Sequence, residues 1–458
     1  MRFLTQRRFY ILMALIAVYC FYGLVFGSTG AENGGSGSEG GGHGGPVLEI
    51  LLDLVVILLA AKLGGDFLER FGQPAVLGEL IIGMVIGNLH LIGFDGFEAF
   101  KYNVTLEILA ELGVIILLFE VGLESTVKEM LKVGLASFMV AVFGVVAPFF
   151  LGWGVGAWFL PEESLLVHVF IGATLAATSV GITARVLKDI GKIRTREAKI
   201  ILGAAVIDDI LGLVILAVVQ GIIVATSSGT EVGSGAILWI VAKAVIFIVG
   251  AVVLGAFLLP HYFKVAFRFK VKGVFLSFCL LVCFFLAYLA GEIGLAPIVG
   301  AFAAGLILEE VQYRDFRERG EHTVEELISP IATFLVPIFF VRMGMMVDLT
   351  TFGHVQILGF AAVLTLAAII GKQACSLAIF DKTVNRFAVG LGMIPRGEVG
   401  LIFAGIGAKL MLDGHPVIST ATYSAVVIMV IVTTLVTPPA LKASLLRGDK
   451  AKGSEQPA

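Results

Sequence analysis

Residues 198–221 read AKIILGAAVIDDILGLVILAVVQG, and their composition places this stretch in a membrane. The run is apolar over about twenty residues, enough for a helix to cross a hydrocarbon core about 30 Å thick. Its exception is a pair of adjacent carboxylates, Asp208 and Asp209, near the middle of the run. A charge at the centre of a bilayer costs several kcal/mol unless it is paired, so the two carboxylates predict a functional site inside a membrane-spanning helix.

The whole chain has the composition of a membrane protein. Of its 458 residues, 58% are hydrophobic and 15% are charged, whereas soluble domains carry about 25% charged residues. The net charge of -3 gives no basic excess for binding nucleic acid. The four cysteines lie inside apolar runs, and their spacing predicts neither a disulfide framework nor a zinc site. We therefore predict an all-α polytopic membrane protein.

The two ends of the chain differ from the part between them. Residues 1–30 carry arginines before an apolar stretch and small residues after it, which is typical of a signal peptide or an N-terminal anchor. Residues 31–46 are rich in glycine and have the composition of a flexible linker. We expect residues 47–441 to form the transmembrane domain and residues 442–458 to form a cytoplasmic tail.

Hydropathy predicts about thirteen membrane-spanning segments. The segments are 47–65, 73–93, 103–122, 133–159, 166–187, 198–221, 234–260, 272–290, 294–310, 327–347, 354–379, 388–409 and 417–440. Lysine and arginine collect in alternate loops, such as residues 188–199, whereas intervening loops, such as residues 161–164, are nearly free of both. This alternation predicts an external N-terminus and a cytoplasmic C-terminus.

Thirteen segments divide into two six-helix units joined by one linking helix, which would invert the second unit relative to the first. Three pairs of similar stretches recur in the same order. They are 74–83 with 297–305, 119–122 with 341–344, and 179–182 with 398–401. Inverted repeats with a site near the bilayer midplane are typical of secondary transporters.

Two stretches predict interrupted helices in the middle of the membrane. Residues 172–181 read GATLAATSVG, in which Thr178 and Ser179 offer oxygen ligands for a hard cation, although helix packing through small residues is the alternative. The matching residues 393–400 read MIPRGEVG and contain helix-breaking Pro and Gly. There Arg396 and Glu398 can compensate the partial charges of the helix ends.

Other intramembrane charges need partners as well. Lys372 lies in an apolar helix, so it either pairs with a carboxylate such as Asp208 or extends to the membrane edge. Glu120 and Arg342 occupy matching positions of the two repeats, and we expect them to form a buried pair or to support the broken helices. Asp208 and Asp209 point about 100° apart on their helix, which predicts a different role for each.

In an ordered set of motifs the sequence resembles the monovalent cation:proton antiporters, in particular the bacterial branch with the NapA-type sodium/proton exchangers and the Kef potassium systems. The motifs are residues 73–79, 117–124, 177–179, 208–209, 371–372 and 395–398. The resemblance implies a dimerisation domain and a core domain with crossed discontinuous helices, the core moving like an elevator. It implies a homodimer in the bacterial inner membrane, without a cofactor.

The resemblance also assigns roles to individual residues. It implies that Asp209 binds the ion and the proton in turn, with Asp208, Thr178 and Ser179 beside it, and that Asp208 pairs with Lys372. The combination of two aspartates with this lysine implies electrogenic exchange of Na⁺ for H⁺, with K⁺ as the alternative cation. The cation and the protons are substrates, and the chain is not expected to be an enzyme.

Two other classes of function fit an interrupted-helix membrane protein. A sodium-coupled solute symporter would need a roomy polar pocket, and the sequence contains no cluster of Arg, Asn or Trp for one. An ion channel or an ion sensor would conduct without coupling or would not transport at all. An ATP-driven pump is disfavoured because the sequence contains no G-x-x-x-x-G-K-[ST] loop.

Overall fold

The computed structural model describes residues 46–94, 96–124, 134–227, 234–269, 271, 273–308, 322–381 and 383–453. The predicted signal or anchor and almost all of the predicted linker lie outside these residues. The chain divides into two compact units, residues 1–59 and residues 60–458. The packing described below is that of the second unit.

The described chain is almost entirely helical. Its helices are α1 (Pro46–Glu69), α2 (Ala75–Gly87), α3 (Glu98–Tyr102), α4 (Val104–Glu124), α5 (Leu135–Phe159), α6 (Leu165–Ala176), α7 (Val180–Asp189), α8 (Arg196–Ser227), α9 (Ser234–Ala266), α10 (Val274–Glu292), α11 (Pro297–Ile307), α12 (Val324–Met345), α13 (Val355–Gln373), α14 (Arg386–Gly392), α15 (Gly397–Lys409) and α16 (Thr420–Gly453). Short 3-10 turns span Leu89–Ile92, Leu349–Gly353 and Ala374–Ala378. One antiparallel hairpin, β1 (Met411–Leu412) and β2 (His415–Pro416), precedes α16.

These helices make the chain a multi-pass membrane protein. Among the described residues, seven helices are long and apolar enough to cross a membrane, or eight if α14 and α15 form one bent span. Large apolar side chains such as Phe257 and Leu258 of α9 are exposed, as contact with lipid requires. Each of the thirteen predicted segments overlaps a helix or a consecutive pair, although thirteen complete spans and the inverted repeat stay predictions. Helix α16 continues beyond the predicted segment 417–440 into the predicted tail.

Most of these helices pack in two groups. The first helix group consists of α2, α4, α10, α11 and α12, and the second of α5, α6, α7, α8, α13, α14, α15 and α16. Helix α9 contacts α8 of the second group and both α10 and α11 of the first. The two groups touch each other directly at few places, among them α8 with α11 and α15 with α2. The predicted linking segment, residues 234–260, thus falls on a helix that packs against both groups.

Two helices of the second group are interrupted. Helix α6 ends at Ala176 and α7 begins at Val180, with Ala177 and Ser179 in extended conformations. Helix α14 ends at Gly392 and α15 begins at Gly397, and the two axes bend by 45°. Both interruptions lie within the stretches where the sequence predicts them.

The two interruptions contact each other. The backbone N–H of Ser179 donates to the carbonyl of Pro395 over 2.8 Å, so each extended segment satisfies a polar group of the other. Gly397 adopts a φ of +40°, and a Cβ added there would lie 2.5 Å from the Cβ of Ser179. Only glycine allows the two interrupted segments to approach this closely with that backbone conformation.

Helices α2 and α12 of the first group also meet at glycines. A Cβ added at Gly83 would lie 2.1 Å from the carbonyl oxygen of Val341, and one added at Gly344 would lie 2.1 Å from that of Leu80. No side chain fits at that distance, so these two positions bring the helix backbones into contact.

We predict that Gly344→Ala lowers the stability of the protein by about 1–3 kcal/mol, because the added methyl group must push α2 and α12 apart. The measurement is the temperature at which purified protein loses its monodisperse peak in detergent. Gly154→Ala is the matched control, because a Cβ at Gly154 meets no atom within 4 Å. Equal melting temperatures for the two variants would contradict the prediction.

Candidate functional site

The interruption between α6 and α7 leaves carbonyl groups that two buried cations satisfy. Lys372 of α13 donates from Nζ to the carbonyl of Ala176 over 2.8 Å. Arg396 donates to the carbonyl of Ala177 and, over 3.2 Å, to that of Ala368. The last carbonyls of a helix have no intrahelical partner and carry partial negative charge, so the two cations complete the end of α6.

Two hydroxyl groups near the start of α7 bind the other interrupted helix. Ser179 donates from Oγ to Oε2 of Glu398 over 2.7 Å. Thr183 donates from Oγ1 to the carbonyl of Gly392, the last residue of α14, over 2.6 Å. Glu398 lies in the first turn of α15, where a carboxylate interacts favourably with the positive end of the helix.

Asp208 and Lys372 form an ion pair in the interior. The Nζ atom of Lys372 lies 2.8 Å from Oδ1 of Asp208, and both side chains are fully buried. Gly144 of α5 faces this pair, since a Cβ there would lie 3.7 Å from the lysine Nζ. The partner expected for Lys372 is therefore present, and the lysine does not extend to the membrane edge.

Asp209 points to a different environment from its neighbour. It lines a cavity of about 860 Å³, which Arg196, Gly203 and Val206 of the same helix also line. Glu124, the last residue of α4, lines the cavity from the first helix group. Since Arg196 begins α8 and each residue rises 1.5 Å, the cavity reaches about 20 Å along the helix to Asp209.

An ion pair lies beside this cavity, in the loop before α14. The Nη1 atom of Arg196 lies 2.6 Å from Oδ2 of Asp381, and both residues line the cavity. The hydroxyl and the backbone N–H of Thr383, together with Arg196, hold the pKa of Asp381 below its usual value. This carboxylate therefore keeps its negative charge, and its ion pair with Arg196, as the pH falls.

Two buried oxygen atoms near the interruption are unsatisfied. Within the described part of the chain, neither Oγ1 of Thr178 nor Oδ2 of Asp208 has a hydrogen-bond partner. Buried acceptors of this kind normally bind a donor, a water molecule or an ion. Ser179 is already bonded to Glu398, so of the two predicted hydroxyl ligands Thr178 is the more available.

The predicted pair between Glu120 and Arg342 is wrong. Arg342 is buried, and its Nη2 lies 3.4 Å from Oε2 of Glu107. Glu120 lies thirteen residues further along α4, which is about 20 Å along the helix axis. Matching positions in a repeat establish correspondence but not contact, and the support of the broken helices by Glu120 stays a prediction.

Sequence reasoning missed two residues of this region. Glu124 lies four residues after Glu120 and therefore on the same face of α4. That spacing could have identified Glu124 as a second candidate carboxylate beside Glu120. Thr183 lies at the same spacing from Ser179, and the repeat of hydroxyls on one helix face was the available signal.

Interrupted helices that meet around buried carboxylates are the construction of secondary transporters, in which helix ends and exposed backbone carbonyls face the ion. Comparisons with known proteins agree with this class. The family model "Sodium/hydrogen exchanger, transmembrane" matches residues 54–447. The chain therefore belongs to the sodium/hydrogen exchanger family, whose members are transporters rather than enzymes and use the transported ions as substrates without a cofactor.

Individual relatives agree with the family. The high-affinity Na⁺/H⁺ antiporter NhaS3 of Synechocystis sp. is 40% identical over 442 residues, which are 89% of this chain and 92% of that protein. The Na⁺/H⁺-K⁺ antiporter GerN of Bacillus cereus is 36% identical over 88% of this chain and 98% of its own length. The solved structure of the sodium proton antiporter MjNhaP1 of Methanocaldococcus jannaschii shares the fold, with a TM-score of 0.62 at 18% identity over 88% of this chain and 97% of that chain.

We predict that Lys372→Gln and Asp208→Asn each destabilise the protein strongly, by up to about 3–5 kcal/mol, because each leaves one buried charge without its partner. The double variant should melt well above the temperature expected from adding the two single effects. Lys243→Gln is the control, because Lys243 Nζ donates to the carbonyl of Ile293 and its loss should cost about 1 kcal/mol. Additive losses in the double variant would contradict an energetically coupled pair.

Proposed function

We propose that the protein exchanges a monovalent cation for protons across the membrane, with Asp209 as the residue that binds them in turn. Na⁺ is the first candidate and K⁺ the second, in agreement with the cations for which the relatives NhaS3 and GerN are named. The observation that carries the proposal is the separation of the two adjacent carboxylates. Asp208 is buried against Lys372, whereas Asp209 lines a cavity.

Exchange follows from competition at Asp209. A cation and a proton cannot both neutralise one carboxylate, so binding of either displaces the other. Either form crosses the low-dielectric part of the protein at lower cost than the bare carboxylate, which would carry an uncompensated charge. Oxygen atoms of Thr178 and Asp208 are the nearest candidates for further cation ligands, because both have unsatisfied lone pairs. Ser179 would mainly position the two interrupted helices, through its backbone bond to Pro395 and its hydroxyl bond to Glu398.

The two helix groups support an elevator-type movement. The second group contains both interruptions and both aspartates, and it touches the first group at few places. It can therefore shift as a body against the first group, with α9 as the connection. The first group would then form a homodimer with a second copy in the bacterial inner membrane, with the N-terminus outside and the C-terminal tail in the cytoplasm.

The buried ion pair determines how much net charge crosses the membrane for each cation that is exchanged. If only Asp209 changes its occupant, one cation exchanges for one proton and no net charge moves. Electrogenic exchange requires a second ionisable group, and the pair of Asp208 and Lys372 is the nearest one to release a proton when the cation binds. We propose the electrogenic form, in which this pair releases a second proton.

We predict that Asp209→Asn abolishes exchange and leaves folding intact, because an amide can neither bind a proton at neutral pH nor balance a cation. The assay uses proteoliposomes with an imposed pH gradient and a pH-sensitive dye, to which Na⁺, K⁺, Li⁺ and an organic solute are added in turn. Asp413→Asn is the matched control, since Asp413 lies in the exposed hairpin turn with a φ of 51°, which asparagine also tolerates. Cation-dependent proton movement in Asp209→Asn would overturn the proposal, and a response to the organic solute would favour a symporter.

We also predict that wild-type protein on a supported membrane gives transient currents when Na⁺ is added, and that Lys372→Gln moves less charge per cation. The variant removes the second ionisable group while Asp209 still exchanges its occupants. Charge is measured as the integrated current, and the cation flux is measured in parallel vesicles. An unchanged ratio of charge to flux would show that Lys372 is not the source of electrogenicity.

A further inference from the structure

A cluster of four charged residues joins the two helix groups far from the aspartates. Lys409, the last residue of α15, has its Nζ 2.7 Å from Oε1 of Glu107 and also in contact with Oε1 of Glu111. Both glutamates lie near the start of α4. Arg342 of α12 pairs with the other oxygen of Glu107 over 3.4 Å and donates to the carbonyl of Lys101. The lysine thus belongs to the second group, and its three charged neighbours belong to the first.

This cluster lies at the opposite end of α4 from the cavity. Glu111 and Glu124 are thirteen residues apart on this helix, which corresponds to about 20 Å. Glu124 lines the cavity that reaches Asp209. Helix α15 has the same arrangement, because it begins at the interruption with Gly397 and ends at Lys409. The structure is therefore open to Asp209 at one end and held by ion pairs at the other.

The surroundings of the cluster show where the two groups meet. An apolar crevice of about 260 Å³ lies between them, with Ala110 and Ile298 on the side of the first group and Ile402 and Ile406 on the other. Lys409 also lines this crevice. Nearby, the Tyr423 hydroxyl of α16 donates to the carbonyl of Met343 of α12 over 2.9 Å and adds a second bond between the groups.

We infer that Lys409, Glu107 and Glu111 form an ion-pair latch, which closes the end of the transporter opposite to the Asp209 cavity and must open in every transport cycle. The inference rests on the proposed alternating movement of the second helix group. When that group shifts, α15 moves with it and withdraws the lysine from the glutamates of α4. The crevice then widens into the path between Asp209 and the other side of the membrane.

The chemistry of the latch suits a contact that breaks and reforms. The side chains of Lys409, Glu107 and Glu111 are 40%, 34% and 58% exposed, so water stabilises each charge when the pairs separate. Ion pairs of this kind contribute little individually. They stabilise the closed state by an amount small enough for the pairs to separate in each cycle. The pair of Asp208 and Lys372 differs, because it is fully buried and both of its residues belong to the second group.

The test measures how fast a cysteine in the crevice reacts with a charged methanethiosulfonate reagent in purified, detergent-solubilised protein. Ala110→Cys provides the target, because Ala110 is 2% exposed and lines the crevice. Wild-type protein without this change gives the background. Adding Lys409→Gln should accelerate labelling roughly three- to tenfold, the change that one or two such ion pairs support, and Glu111→Gln should accelerate it less because Lys409 keeps its pair with Glu107.

Matched variants separate the latch from general loosening. Lys409→Arg should label at the rate of the parent, as should Glu162→Gln, which neutralises an exposed loop carboxylate. The exchange of charges in Lys409→Glu with Glu111→Lys should restore slow labelling. Unchanged labelling in Lys409→Gln and in Glu111→Gln would overturn the latch, and so would acceleration in Glu162→Gln to the same extent.

A second measurement does not depend on whether the charge variants fold. Labelling of the Ala110→Cys protein should accelerate with increasing choline chloride, because salt screens partly exposed ion pairs and choline avoids the proposed substrate cations. A rate independent of salt would overturn the latch. The labelling assay needs no transport, so it distinguishes failure of the latch from failure of the proposed exchange, which Asp209→Asn tests separately.

Discussion

The buried ion pair between Lys372 and Asp208 is the interaction on which the rest of the site depends. Both side chains are removed from water. Burying either charge alone would cost several kcal/mol of stability, so each needs the other as its partner. The same ammonium group also binds the carbonyl of Ala176 at the end of α6. One cation therefore fixes the position of α8, α13 and the first interruption relative to each other. The same arrangement fixes the position of Asp209, because it is the residue after Asp208 on α8.

Interrupted helices are stable here because each interruption satisfies the polar groups of the other. Pro395 accepts from the backbone of Ser179, and Arg396 donates to the carbonyl of Ala177. In water such groups could bind solvent, but within a membrane protein they must find partners in the chain. The oxygen atoms that stay unsatisfied, on Thr178 and Asp208, are then available for a ligand. The fold thus concentrates its unused hydrogen-bonding capacity close to the carboxylates.

Sequence reasoning could predict those features that follow from composition and local chemistry. Long apolar runs predict membrane helices, and the Thr-Ser and Pro-Arg-Gly stretches predict both interruptions. A buried lysine predicts a buried carboxylate, and Asp208 was the candidate. Contacts between distant segments were less accessible, because equal spacing in two repeats does not specify which side chains touch. Arg342 was assigned to Glu120 for that reason, whereas its partner is Glu107. Lys409 is the last residue of its helix, where a lysine is ordinary, and only the three-dimensional structure reveals its partners on α4.

Helix α4 connects the two ends of the proposed transport path. It is continuous from Val104 to Glu124, with carboxylates at both ends and a mostly apolar stretch between them. Helix α4 belongs to the first group, so it stays in place while the second group shifts along it. If the second group moves as a body, as proposed, one displacement acts on the cavity beside Glu124 and on the ion pairs of Glu107 and Glu111 together. The shift that withdraws Lys409 from the start of α4 is therefore the same shift that changes the cavity at its end.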